Sequence, residues 1–408
     1  MDWNLPYLTD EHKSLVMLMK EFCEREVDIK ALNEIGDRPM PVTSTREDVM
    51  ARMPWELINK AHDAGLRQLA TPEEYGGGGY AMDHLALGAC AEAAGYYGGQ
   101  FARLISIPWK HTCTLVSSPY VSKELKDELF THFMENRKTY FASSGSEANH
   151  GSDMIMPYDE PGKTGMFFAR KEGDDWVLNG DKQWCEGACI SAYVLLTIRT
   201  DPTGPISKSA TQFAFPTATP GWTIRVNDMM GNEIVPNSQQ HFENCRVPDR
   251  YRISPAGEGL TIHRGALAFL AIYHHGFIGW AQRVWEEIRD YAKTRIQGGK
   301  PIIQHNNVGM LVAEGDALLR TARLFNYQYS WECCQAGQLS QISALSFFYG
   351  TWYVKKVLMR IIEIGLDVYG GMAPQKELTF EHWVRVHLSM FHGGSTGTMG
   401  LLKGSKLL

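Results

Sequence analysis

Apolar positions recur at helical spacing through the first third of the chain. In LTDEHKSLVMLMKEFCEREV (residues 8–27), Leu15, Met19, Phe22 and Cys23 fall on one stripe. Thr9 is placed to cap that helix, and Asp10 and Glu11 favour its positive end. WELINKAHDAGL (55–66) and DHLALGACAEAAGY (83–96) repeat the pattern on either side of the glycine-rich break TPEEYGGGGY, and the helical reading runs to about residue 138. The period then changes. MFFARKEGDDWVLNGDKQW (166–184) holds β-type runs joined at Gly-Asp and Asn-Gly, which read as tight turns. AYVLLTIRTD, TQFAFPT and GWTIRVND continue the strand character, and from EGLTIHRGALAFLAIYHHGFIGWAQRVWEEIRDYAKTR the helical period returns almost to the end. The expected fold class is α+β in three parts, an all-α domain over 1–138, a β-domain over 139–250 and a helical domain over 251–408. The β block has no helix-length segment between its strands, so a parallel βαβ sheet is not expected.

Composition narrows the class. With 408 residues, 44% hydrophobic and 21% charged, the chain has the composition of a globular protein of enzyme size, long enough for two or three domains. A net charge of −6 supplies no basic stripe for nucleic acid, and no apolar run approaches the ~20 residues of a membrane-spanning helix. MDWNLPYLTDEHK shows neither a charged leader nor an apolar core of a signal sequence, so a cytoplasmic location is expected. Eight cysteines without a CxxC pair read as buried thiols in a reducing compartment. His382, His387 and His392 are five apart, which spreads them around a helix, and no metal site is expected.

Dinucleotide and phosphate-loop signatures are missing, but other short peptides stand in a telling order. PEEYGG lies at 72–77, SEANHGSD at 146–153, LNGDKQW at 178–184, CRVP at 245–248, RIQGGKPI at 295–302 and YGG at 369–371. Over essentially its full length the chain resembles the acyl-CoA dehydrogenase family. That resemblance implies an α-helical N-terminal domain, a central β-domain and a C-terminal four-helix bundle. It implies FAD between the last two, with part of its pyrophosphate tail held by a neighbouring subunit of a homodimer or homotetramer. Carried over by position, Ser143, Ser144, Ser146 and Ser152 would line the flavin, with Ser152 also near the substrate thioester. Trp184 would cover the flavin, and Arg295 would reach the FAD phosphates of the partner subunit, where a guanidinium suits the charge. His305 and Asn306 would lie beside that tail, Gly370 and Gly371 would allow close approach to the adenine-side half, and Thr396 would be a further FAD contact. Asn306 and Asp367 stand where the family usually has Gln. An acyl-CoA substrate and an electron-transfer flavoprotein, or a similar acceptor, are the implied partners.

The pattern breaks at the chemistry. Dehydrogenation needs a polarised thioester carbonyl, a base for the α-proton and a hydride acceptor. The family's base is a glutamate in a segment that corresponds to FHGGST (391–396), and its position falls on His392, Gly393 or Gly394. No Asp or Glu occurs after Glu381, and the alternative helix, GALAFLAIYHHGFIGWAQ, has none either. The Thr that normally follows the flavin tryptophan by two residues is Glu186. Three readings stay open. His392 could be the base, with the Gly393 backbone still polarising the carbonyl. Glu186 could be a base or proton donor on the flavin side, or a surface glutamate in a turn. Alternatively no α-proton is abstracted, and the chain is a non-redox acyl-CoA lyase of decarboxylase or desulfinase type, a flavin monooxygenase, or an FAD- or CoA-binding partner subunit. Arg103, a lone cation in GGQFARLISIPWKH, is either a substrate contact for a carboxylate or sulfinate, or an ordinary snorkelling arginine. The expected substrate is a branched, cyclic or otherwise functionalised acyl-CoA.

Overall fold

A computed structural model describes all residues except 152–158, 232–233, 261–268, 337–340, 392 and 394–396. The helices are α1 (Asp10–Glu26), α2 (Ile29–Asp37), α3 (Arg46–Arg52), α4 (Trp55–Asp63), α5 (His84–Gly98), α6 (Phe101–Ser117) and α7 (Lys123–Glu135). Seven strands follow: β1 (Tyr140–Ser144), β2 (Phe168–Glu172), β3 (Asp175–Glu186), β4 (Ser191–Arg199), β5 (Ala210–Pro216), β6 (Trp222–Val226) and β7 (Asn237–Pro248). After them come α8 (Leu270–Thr294), the short pair β8 (Ile296–Gln297) and β9 (Lys300–Pro301), and then α9 (Asn306–Ala336), α10 (Gln341–Tyr369), α11 (Thr379–Met390) and α12 (Gly397–Ser405). The order helices, strands, helices is the one the pattern predicts. No described helix is long and apolar enough to cross a membrane.

The described residues form two compact units. One comprises Met1–Asn33, His84–Ala102 and Ala271–Leu408. Within it Thr9 caps α1 by accepting from the His12 N–H at 3.2 Å, and Val16, Met19, Phe22 and Cys23 are buried, with Val16 taking the core place expected of Leu15. The long helices α8 to α11 enclose an apolar core that includes Trp285, Ile288, Ile361 and Trp383.

The other unit comprises Glu34–Asp83 and Arg103–Leu270. Its sheet runs β1-β4-β2-β3-β7-β6, with β5 also on β4. β4 pairs parallel with both β1 and β2 while the other pairings are antiparallel, so the sheet is mixed, and no described α-helix lies between these strands. One sequence expectation changes here. The Asn179–Gly180 pair is not a turn. β3 runs straight through it as an irregularity opposite β7, and the true two-residue turn is Gly173–Asp174 between β2 and β3. All eight cysteines are free and seven are buried.

Candidate functional site

The end of β1 and the end of β3 are stitched together. The Cys185 thiol donates to the Ser143 carbonyl at 3.1 Å, and the Gln183 N–H donates to the Ser146 carbonyl at 2.8 Å. Lys182, fully buried, donates to the Gly145 carbonyl at 2.8 Å and to Glu147 at 2.9 Å. Glu147 in turn accepts the backbone N–H groups of Met166 and Phe167 at 2.7 and 3.2 Å. A buried charge is tolerable only when paired and hydrogen-bonded in this way. The pair therefore fixes the end of β1, with Ser143 and Ser144, and the turn after it, with Ser146.

Trp184 sits in a bulge of β3, where pairing with β7 skips from Lys182 to Cys185. Its φ is +61° and it is 57% exposed. A bulky residue in the left-handed region is strained, and an exposed indole held there is a feature a structure keeps for a reason. Two residues on, Glu186 ends β3 and forms an ion pair with Arg103 of α6; their side chains are 23% and 5% exposed. Neither bland reading survives. Glu186 is not a turn-surface residue and Arg103 is not a snorkelling one.

α6 reaches the same place a second time. Lys110 and His111 both contact the Ser143 hydroxyl, at 3.3 and 3.0 Å. Burial lowers Lys110 to about 8, and it drives His111 well below its ordinary value with help from the Lys110 charge. Burial pushes the Cys185 thiol up to about 12. Sequence reasoning missed Lys110, His111, Lys182 and Glu147. The available signal was a cation inside the apolar run ISIPWKHTC.

In the first unit, Arg295, His305 and Asn306 gather on one small hairpin. Arg295 is exposed next to β8, the His305 Nε2 meets the Gln297 carbonyl at 2.9 Å, and Asn306 opens α9. Gly370, at φ +56°, and Gly371 lie just past α10, and a Cβ on either would meet nothing within 4 Å. Gly393 is exposed in the turn after α11, and its carbonyl accepts from Lys355 at 3.0 Å. Ser152, His392 and Thr396 lie outside the described residues.

Family models for the acyl-CoA dehydrogenase N-terminal, middle and C-terminal domains match residues 9–136, 142–245 and 257–403. The chain belongs to the acyl-CoA dehydrogenase family. It is 24% identical to a 3-(aryl)acrylate reductase of Clostridium sporogenes, over 98% of this chain and 100% of that protein. It is 26% identical to a cyclohex-1-ene-1-carbonyl-CoA dehydrogenase of Syntrophus aciditrophicus, over 98% and 91%. The FAD complex of PigA superposes with a TM-score of 0.83 at 21% identity, covering 100% of this chain and 99% of that one. This acyl-CoA dehydrogenase-family chain is thus an FAD-dependent oxidoreductase. Its own residues fit a flavin, since an outward indole on a strained bulge, beside a pinned serine turn, offers an aromatic cover and polar backbone for an isoalloxazine edge.

Proposed function

We propose that the chain oxidises a branched, cyclic or otherwise functionalised acyl-CoA thioester, with an electron-transfer flavoprotein or similar acceptor downstream. FAD, when bound, supplies the hydride acceptor. The serine turn at 143–146 and Trp184 hold the flavin, and Arg295, His305, Asn306, Gly370 and Gly371 serve its phosphate and adenosine half. The observation that carries the substrate reading is the Arg103–Glu186 pair two residues from Trp184. A charged pair there suits a polar or rigid acyl group better than a plain alkyl chain, which would have to desolvate it. Because Arg103 holds the Glu186 carboxylate, Glu186 serves as a fixed polar neighbour, and proton abstraction falls to His392. A neutral imidazole is a weaker base than the task usually has, so the substrate must contribute acidity at its α-carbon, as conjugation or a second withdrawing group does.

The test is anaerobic mixing of the FAD-loaded protein with a panel of acyl-CoAs while following flavin bleaching. Branched, cyclic or conjugated thioesters are expected to bleach it, with butyryl- and octanoyl-CoA slower by about 10²–10⁴-fold, the usual effect of losing a general base. Fast bleaching by straight-chain saturated thioesters would sink the substrate reading. A thioester that loses carboxylate or sulfinate without bleaching would establish the lyase reading in its place.

A further inference from the structure

Helix α6 carries a proline in its interior, Pro108, among residues that are almost all buried. Proline has no N–H to give the carbonyl four residues back, so the Leu104 carbonyl loses its helical donor. The Tyr140 hydroxyl takes the place of that donor, at 2.8 Å from the Leu104 carbonyl and on a side chain that is fully buried. Tyr140 opens β1, and Ser143 of the same strand meets α6 a second time, with its hydroxyl 3.0 Å from the His111 Nε2. Lys110 reaches that hydroxyl at 3.3 Å. All of these residues belong to one compact unit.

The two ties match in span. From Leu104 to His111 the helix rises about 10.5 Å, and from Tyr140 to Ser143 the strand advances about 10 Å. Residues three apart on a regular strand point to opposite faces. Here the pairing of β1 with β4 slips between Tyr140 and Phe141, and the extra twist of such a slip lets both side chains reach one helix. A neighbouring dipeptide holds the helix and the strand at their midpoint and start. The Trp109 Nε1 donates to the Leu66 carbonyl at 2.9 Å, and the Arg67 guanidinium donates to the Thr139 carbonyl at 2.7 Å.

We propose that Tyr140 is a positioning residue for the end of β1 and the turn after it, residues 143–146. By bonding the carbonyl that Pro108 frees, it seats α6 along β1 and so sets where His111 holds the Ser143 hydroxyl. That this segment serves the flavin rests on the functional reading above. The competing role for Tyr140 is only to satisfy a buried carbonyl. The two roles differ in what a change at Pro108 repairs. Pro108→Ala restores a helical N–H to Leu104, but it makes no bond to β1.

The experiment compares wild type, Tyr140→Phe, Tyr140→Phe/Pro108→Ala and Ser143→Ala as full-length protein. Urea midpoint and hydrogen exchange of the 143–147 amides are measured with FAD in excess, and the FAD dissociation constant by titration. Tyr140→Phe leaves the Leu104 carbonyl buried without its donor, so its urea midpoint should fall. Its 143–147 amides should exchange about tenfold faster, and FAD should bind about five- to tenfold more weakly, the usual worth of one hydrogen bond. Tyr140→Phe/Pro108→Ala should regain most of the urea midpoint while exchange and FAD binding stay at the Tyr140→Phe level. Ser143→Ala should weaken FAD to a similar degree. Wild-type exchange in Tyr140→Phe, or recovery of exchange together with the urea midpoint in the double variant, overturns the proposal, because Tyr140 then serves the carbonyl alone. If Tyr140→Phe speeds exchange but neither it nor Ser143→Ala alters FAD binding, Tyr140 seats the segment as proposed and the flavin reading of that segment is what fails.

Discussion

Arg103 and Glu186 come from distant parts of the chain, and each had a plausible solitary explanation until they were seen to share one ion pair. Removing one partner of a buried pair strands the other charge and typically costs 3–5 kcal/mol. Glu186 keeps about a quarter of its side chain in contact with solvent, so about 3 kcal/mol is the better expectation for Arg103→Met. Arg103→Met/Glu186→Gln should recover part of that loss, because no bare carboxylate remains. Urea denaturation of the two singles and the double measures the coupling, and strictly additive losses would show that the pair carries none. The residue types were legible in the sequence, as was the departure from the family at Glu186. Their pairing was not, since no local pattern says which strand end meets which helix. The left-handed backbone of Trp184 was equally hidden, because a bulge is set by registration against β7 and not by the residues inside it.

Elements were easier to read than their partners. The run GACAEAAG announces a helix, and α5 is one, with almost every residue buried. What the small residues are for appears only when α8 lies against it. A Cβ on Gly95 would stand 2.0 Å from the Gly276 carbonyl, and one on Gly279 would stand 2.0 Å from the Glu92 carbonyl, so glycines on both helices bring the backbones together. That approach also seats Glu92, which is fully buried and accepts from Arg323 at 2.7 Å and from the Tyr327 hydroxyl at 2.6 Å. Gly95→Ala and Gly279→Ala should each destabilise by about 1–3 kcal/mol or more, since the helices must part to admit the methyl group. Gly151→Ala, where a Cβ meets nothing within 4 Å, should stay within about 0.5 kcal/mol. Thermal denaturation of the three variants tests this, and equal midpoints would mean that the α5–α8 contact yields at no cost. The misreading of Asn179–Gly180 has the opposite origin. A dipeptide that favours tight turns was overruled by the long β3–β7 pairing, which uses the glycine as an irregularity.

Over the whole molecule, burial keeps several histidines neutral, and that fixes how stability depends on acid. His111 is held well below its ordinary value, and His274 and His387 are held at about 3, in each case mainly by burial. In the unfolded chain such a residue titrates near 6.5. Between about 6.5 and 3 the unfolded state therefore binds protons that the native state refuses, and stability falls as pH falls. The carboxylates split. Glu128 and Glu172 are lowered, Glu172 through its hydrogen bonds to Arg170 and Arg246, and they add to the acid loss once pH nears 4. Glu92 and Glu287 are raised by burial and oppose it. The histidine contribution is cleanest between pH 7.5 and 5, before ordinary carboxylates respond. His387 offers the test. It stacks on Trp383 at 5.6 Å, and its Nε2 has no hydrogen-bond partner among the described residues, so His387→Phe keeps the ring contact and strands nothing. Wild type should lose urea resistance between pH 7.5 and 5, and His387→Phe should lose measurably less. If the variant's loss equals that of wild type, His387 takes up its proton in the folded state, and burial does not keep it neutral.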